Sequence, residues 1–202
     1  MMRIVGRFAP SPSGRMHLGN VMTALLAWLS VRSQGGEMVL RIEDLDVQRC
    51  KPEYTLQLKE DIQWLGLDWD REQVQQSLKT ADYDRFFADL QSQNLVYPCY
   101  CTRQELHASS APHASDGRVL YAGTCRDLPA DFVGQKAPAW RLKVPDKTYG
   151  FADGLQGYFA ENLTTECGDF LLRRADGNYA YQLAVVHDDV EAGVTEVVRG
   201  LD

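Results

Sequence analysis

Apolar positions along the first 94 residues fall into short runs and helical spacings, in alternation. Ile4 to Phe8 is an apolar run of strand length. Met22, Leu25, Leu26 and Leu29 then recur at i, i+3, i+4 and i+7, which predicts a helix from about Gly19 to Ser33. Val21 and Trp28 add apolar surface on its other faces, so burial on several sides is expected. Gln34-Gly35-Gly36 ends this helix, and Met38 to Ile42 predicts a second strand that closes on Glu43-Asp44-Leu45-Asp46. Pro52 opens a second helix as a first-turn residue, with Leu58, Ile62 and Leu65 as its inward stripe. A third helix, about Thr80 to Asn94, carries Tyr83, Phe86, Phe87 and Leu90. Strand–helix–strand–helix order predicts an α/β fold with a parallel sheet and right-handed crossovers.

This is the first half of a Rossmann-like nucleotide-binding domain, in which ligands bind beyond the carboxyl ends of the strands. The loop after Phe8 and the carboxylate of Glu43 both lie at such ends, around one crevice. From Leu95 to Asn178 the texture changes to Gly, Pro and short strand-like runs, including Ala139 to Val144 and Asp169 to Arg174. Helical and strand patterns resume at Tyr179 to Asp189 and Thr195 to Arg199. The expected division is residues 1–94 as the first half of the catalytic-type domain, 95–178 as an inserted α+β subdomain, and 179–202 as the start of the second half. A doubly wound domain calls for further strands after Arg199.

With 202 residues and 45% hydrophobic content, the chain can bury one sizeable core, or a core with a smaller insert. No apolar run approaches the roughly 18 residues needed to span a bilayer, and Met1-Met2-Arg3 leads straight into a strand. A cytoplasmic, monomeric protein without membrane contact is expected. A formal net charge of −7 argues against a general nucleic-acid coat, although one RNA could still be read through a local basic patch. Candidates for that patch are Arg103, Arg118, Arg126, Lys136, Arg141, Lys143, Arg173 and Arg174, each of which could equally be a solvated surface charge.

The chemistry concentrates first in the stretch Arg7-Phe8-Ala9-Pro10-Ser11-Pro12-Ser13-Gly14 and the His17-Leu18-Gly19-Asn20 that follows. Two prolines stiffen the loop, and Gly14 permits a sharp turn. His17, Gly19 and Asn20 arrive at a helix start, where free N–H groups and the helix dipole favour an anion. No Walker-type Gly-Lys-Ser/Thr accompanies it. The second concentration is in the cysteines. Five of them, an odd number, argue against a disulfide framework. Cys99-Tyr100-Cys101 and Tyr121-Ala122-Gly123-Thr124-Cys125 bracket a loop rich in Ser, Ala and Gly, which a Zn²⁺ ion on three thiolates and one further ligand would staple. On chemistry alone His107, His113 and Tyr121 all compete for the fourth place, and plain buried thiols are the other reading. Cys50 and Cys167 stand apart.

The run from Arg7 to Asn20 resembles the first ATP signature of class I aminoacyl-tRNA synthetases, in the form used by the glutamyl branch. The resemblance extends over essentially the whole chain. It takes in Arg41-Ile42-Glu43-Asp44, Asp169 to Arg174, Tyr181 to Asp189, and Val198-Arg199-Gly200. It implies activation of L-glutamate by ATP with Mg²⁺, giving glutamyl-adenylate, followed by transfer to tRNA. His17 and Asn20 would act on the phosphates, with Gly19 leaving room for the nucleotide. A core-packing or helix-capping role is the other reading of His17. Phe8, Ala9, Pro10 and Ser11 would line the glutamate pocket. There Arg7 and Arg199 offer guanidinium forks for carboxylates, Glu43 a counter-charge for the ammonium, and Tyr181 a hydrogen-bonding phenol. Asp188 and Asp189 could be a cap or a ribose contact.

Within that branch, the Ser-Pro-Ser-Gly loop, the Cys-x-Cys…Tyr-x-x-x-Cys pattern and Val185 resemble the glutamyl-Q(34) type. The resemblance makes Cys99, Cys101, Tyr121 and Cys125 the zinc ligands and queuosine in the anticodon of tRNA(Asp) the acceptor. Full-length enzymes that charge tRNA(Glu) usually carry Asn at the position of Val185. The family's second ATP signature, a Lys-Met-Ser-Lys-Ser-type loop, has no counterpart here, since Lys143 and Lys147 stand in the wrong context. A piece of a longer protein or a natural truncation is therefore expected. The alternatives are the N-terminal part of a synthetase for tRNA(Glu), an inactive module binding zinc and glutamate, or another nucleotidyl transferase of the same superfold.

Overall fold

The computed structural model describes residues 3–102, 104–106, 120–129, 132, 134 and 136–200. The chain divides into two compact units, Met1–Arg85 with Leu183–Asp202, and Phe86–Gln182. In the first, strands β1 (Val5–Phe8), β2 (Glu37–Leu40) and β3 (Arg71–Glu72) form a parallel sheet in the order β1-β2-β3. Helix α1 (Leu18–Ser33) connects β1 to β2, and α2 (Pro52–Trp64) lies between β2 and β3. A 3-10 turn, Gln76–Leu78, precedes α3 (Thr80–Ser92). Thr195 to Arg199 makes no strand of its own, only a parallel bridge between Gly6 and Glu196. Gly36 turns the chain into β2 so closely that a Cβ there would sit 2.8 Å from the Ile4 carbonyl oxygen.

Helix α1 buries a different face from the one its pattern marks. Met22, Leu25, Leu26 and Leu29 are exposed, at 52, 37, 47 and 48% respectively, while Ala24, Ala27 and Val31 are buried. The reason lies in the strand beneath: a Cβ on Gly6 would stand 2.2 Å from Val31 Cγ2. Helix and sheet approach so closely that only small or β-branched residues fit between them. In α2, Leu58 and Ile62 point inward as the spacing requires, but Leu65 follows the last helical residue and is 38% exposed. In α3 the buried aromatics are Tyr83 and Phe87, with Phe86 and Leu90 half-buried.

Side chains alternate across a strand, and β2 with its continuation uses both faces. Leu40 and Ile42 join Ala24, Leu58, Ile62 and Leu67 in an apolar core, against which Phe8 and Trp28 also pack. Arg41 and Glu43 project to the opposite face, as does Arg7 from β1. That face is covered by α5 (Tyr181–Ala192), whose Asp188 is completely buried.

The second unit is antiparallel. Strands β4 (Val96–Cys99), β5 (Ala139–Leu142) and β8 (Leu171–Arg173) pair in the order β4-β5-β8. A separate hairpin joins β6 (Thr148–Asp153) to β7 (Gly157–Asn162), and the short helix α4 (Leu163–Glu166) follows. Asp169 ties this unit together. Its carboxylate accepts from Tyr97 Oη at 2.7 Å, Arg126 Nη1 at 2.8 Å and the Val144 amide at 2.8 Å.

Candidate active site and thiol cluster

The loop leaving β1 stays alongside the continuation of β2. The Arg41 amide donates to the Phe8 carbonyl at 2.9 Å, and the Glu43 amide to the Pro10 carbonyl at 3.0 Å. The ladder thus extends past the strand ends, and Arg7, opposite Val39 in register, lies on the same face as Arg41 and Glu43. Pro12 is buried, which anchors a loop whose neighbours Ser11 and Ser13 are exposed. The loop delivers His17 as the N-cap of α1, where His17 Nδ1 accepts from the Gly19 amide at 3.1 Å. Asn20 Oδ1 accepts reciprocally from the His17 amide at 3.2 Å, completing a capping box. An Nδ1 that accepts leaves the proton of the neutral ring on Nε2. The exposed imidazole therefore offers an Nε2–H donor at the helix start. A Cβ on Gly19 would lie 3.0 Å from the imidazole Cε1, so glycine gives the ring its place.

Behind the loop sits a connected set of charges. Arg41, with no exposed surface, donates from Nε and Nη2 to one oxygen of Glu43 at 3.1 and 3.0 Å. Its Nη1 donates to Asp189 Oδ1 at 2.5 Å, and the same oxygen lies 3.6 Å from Arg7 Nε. Burial pushes the Glu43 carboxyl up to about 6, against the pull of Arg41 and Arg7. Neighbouring Asp188 accepts from Lys79 Nζ at 2.5 Å, Gln76 Nε2 at 2.8 Å and Tyr83 Oη at 2.9 Å, with His187 Nδ1 at 3.1 Å. Burial opposes ionisation of Asp188, but the hydrogen bonds from Lys79 and Gln76 outweigh it and hold the carboxyl below the usual range. Asp188 is therefore a closed structural anchor, and Asp189 is a partner of two arginines. These roles were hidden in the sequence because Asp188 and Lys79 are 109 positions apart. The only signal was two adjacent acids in an apolar helical pattern.

The remaining candidates are placed as follows. Phe8 packs on the apolar core, and Ala9 and Pro10 are half-buried beside the ladder. Tyr181, the first residue of α5, is 51% exposed, and Arg199 is exposed. Of the basic candidates, Arg103 and Arg118 lie outside the described residues. Arg126 pairs with Asp169, Arg174 with Asp176, and Lys143 with Asn94, while Arg141 is buried. Lys136 is exposed, and Arg173 lies 5.1 Å over the Tyr179 ring.

In the second unit, the Sγ atoms of Cys99, Cys101 and Cys125 all lie within 4.8 Å of one another. Cys101 and Cys125 are 3.6 Å apart, close to the roughly 3.8 Å that two sulfurs take on a tetrahedral zinc with bonds of about 2.3 Å. Tyr121 Oη stands 3.5 Å from Cys99 Sγ and 3.9 Å from Cys101 Sγ, as a fourth vertex. The donor set fits Zn²⁺. His107 and His113 lie outside the described residues. The Arg141 guanidinium, a basic-patch candidate in the sequence, instead stacks 3.8 Å from the Tyr121 ring centroid. Burial works to raise the Cys99 thiol, yet hydrogen bonds with Tyr121 and Arg141 leave it below its ordinary value.

The catalytic-domain family of "tRNA synthetases class I (E and Q)" matches residues 3–202. The chain belongs to this family of class I tRNA synthetases. Its parallel sheet and helix order are those of a class I synthetase fold. A glutamyl-Q tRNA(Asp) synthetase of Nitratidesulfovibrio vulgaris is 46% identical over 213 residues, covering 98% of this chain and 66% of that protein. One of Neisseria meningitidis serogroup C is 46% identical over 200 residues with the same coverage. The chain thus spans 66% of the length of these relatives. Among solved structures, a glutamate tRNA ligase from Elizabethkingia meningosepticum in complex with its amino acid superposes with TM-score 0.82 at 31% identity. The alignment covers 97% of this chain and 43% of the ligase. No helix among the described residues of this synthetase-family chain is long and apolar enough to cross a membrane.

Proposed function

We propose that this chain binds L-glutamate and ATP, forms glutamyl-adenylate, and serves transfer of glutamate to queuosine in the anticodon of tRNA(Asp). The observation that carries this reading is the set of charges Arg7, Arg41, Glu43 and Asp189 on one face of the sheet, whose β1 loop leads into a helix start capped by His17. Glutamate brings two carboxylates and one ammonium, and needs cations with a single anion. Arg7 and Arg199 would take the carboxylates, Glu43 the ammonium, and Tyr181 a hydrogen bond. Phe8, Ala9, Pro10 and Ser11 would form the wall of the pocket. A carboxylate oxygen of glutamate attacks the α-phosphorus of ATP as the bond to pyrophosphate breaks. His17 Nε2–H and the amide of Asn20 would donate to phosphate oxygens on which charge builds, and Gly19 would keep the approach open. Mg²⁺ would enter with ATP.

In the same reading Cys99, Cys101, Tyr121 and Cys125 would hold a Zn²⁺ ion that cross-links residues 99–125 and contributes to folding there. The division into 1–94, 95–178 and 179–202 belongs to this proposal. The glutamyl-Q acceptor is supported by relatives of that name at 46% identity, against 31% for the glutamate tRNA ligase. That ligase favours one second reading, the charging of tRNA(Glu).

Glutamate-dependent exchange of labelled pyrophosphate into ATP tests the proposal, on this chain and on a form extended past Asp202. Exchange without any tRNA supports the glutamyl-Q reading. Exchange only when tRNA(Glu) is present moves the assignment to the second reading. Absence of exchange under every condition refutes adenylation.

A further inference from the structure

Arg41 is inaccessible to any ligand, and all three of its guanidinium nitrogens are engaged inside the protein. The manner of engagement is unusual. An arginine fork ordinarily grips both oxygens of a carboxylate. Here Nε and Nη2 converge on Glu43 Oε1 alone, and among the described residues no hydrogen bond occupies Oε2. The third nitrogen, Nη1, is fixed by Asp189 at 2.5 Å, with Gln73 Oε1 at 3.5 Å. Because Asp189 Oδ1 is taken up by Arg41, it stays 3.6 Å from Arg7, whose Nε is buried without a hydrogen-bond partner.

We propose that Arg41 is a positioning residue that turns Glu43 so that one oxygen is held by the protein and the other is presented to a substrate ammonium, with Asp189 locking Arg41 in place. The same lock holds Asp189 3.6 Å from Arg7, whose Nε keeps no hydrogen-bond partner, so a cation and an anion are both presented toward one ligand. That is the charge pattern of an α-amino acid. The inference rests on the glutamate reading of the pocket and deepens it. The charged or titratable groups around Glu43 are Arg7 from β1, Arg41 from its own strand, Asp189 from α5 and Tyr83 from α3. Burial favours the neutral carboxyl, and Arg41 is the first opposing influence. Without Arg41, Glu43 would hold its proton at neutral pH and bind no ammonium.

The test uses the whole chain, with ¹³C-carboxyl labelling to follow Glu43 by NMR and calorimetry to follow L-glutamate. In the parent, Glu43 titrates near 6. In Arg41→Gln the midpoint rises by roughly two units, and glutamate binding at pH 7 weakens about tenfold. Affinity returns as pH is raised toward about 8.5 and the carboxyl ionises, which a merely misfolded pocket would not show. Arg41→Lys retains the charge and keeps the midpoint near the parent's, so it also serves if the glutamine variant does not fold. An unmoved midpoint in Arg41→Gln, a loss of affinity without recovery at high pH, or a lysine variant that behaves like the glutamine one overturns the proposal. If the parent binds no glutamate, the pocket assignment falls, while the carboxyl titration still decides the role of Arg41.

Discussion

The two faces of the β1–β2 sheet come from alternate residues of the same strands, yet they work differently. On one, Leu40 and Ile42 pack with Ala24, Leu58, Ile62 and Leu67, and no direction is imposed beyond filling space. On the other, Arg7 and Arg41 face Glu43 and Asp189, and Lys79 faces Asp188, with contacts directed from named donors to named oxygens. The apolar side holds the strands at a fixed depth; the ionic side converts that fixed position into a directed arrangement of charge. Asp188 is the buried anchor of this second side, and Asp189 and Glu43 hold Arg41 between them.

Five substitutions probe that division. The largest effect is expected at Asp188→Ala, which removes the buried carboxylate that Lys79, Gln76 and Tyr83 all donate to and leaves the Lys79 ammonium with Glu191 alone. A loss of about 3–5 kcal/mol in urea unfolding is expected, and a loss below about 1 kcal/mol would show that the ionic side does not hold the fold. On the apolar side, Leu58→Ala removes a fully packed side chain and is expected to cost about 2–4 kcal/mol by the same measurement. Gly6→Ala forces a methyl group against Val31, with an expected cost of about 1–3 kcal/mol. Adding Val31→Ala should recover part of that loss; failure to do so would place the close contact elsewhere.

The smallest effect is the pH dependence at Glu43. Its folded value of about 6 lies above the ordinary 4.5, so the folded protein holds this proton more tightly than the unfolded chain does. The corresponding stability is present below about pH 4.5, falls as pH rises to about 6, and is absent above, by about 1–2 kcal/mol in all. Asp188 runs the other way, since its depressed carboxyl loses stability only in more acid solution. Glu43→Gln should flatten the curve between pH 4.5 and 6 in unfolding experiments at stepped pH. A curve unchanged by the substitution would assign that slope to another group.

Much of the first unit could be read from the sequence, because its signals are local. The strand before the Pro-Ser loop, the Gly35-Gly36 stop and the Pro52 start each depend on neighbours a few positions away. The inner face of α1 was misread for a physical reason. Periodicity weighs Met and Leu above Ala, but a close approach over Gly6 selects small residues. The strand β3, two residues long, carries too little pattern to announce itself. In the candidate site, the placement of Arg7 and Glu43 on neighbouring strands or their continuation, and of His17, Gly19 and Asn20 at a helix start, was legible because motif and element ends coincide. The links from Arg41 to Asp189 and from Lys79 to Asp188 join positions more than a hundred residues apart, and only folding brings them together. Among the cysteines, spacing singled out the cluster, while the stacking of Arg141 on Tyr121 depends on strand β5 lying alongside.

In the proposed function, Glu43 on the ionic face recognises the ligand, whereas Leu58 on the apolar face supports the fold alone. Calorimetric titration of L-glutamate into Leu58→Ala and Glu43→Gln, both folded at pH 7, tests it most directly. The account predicts that Leu58→Ala binds as the parent does despite its lower stability, and that Glu43→Gln loses at least about tenfold in affinity. Parent-like binding by Glu43→Gln, or an equal loss in both proteins, would contradict it.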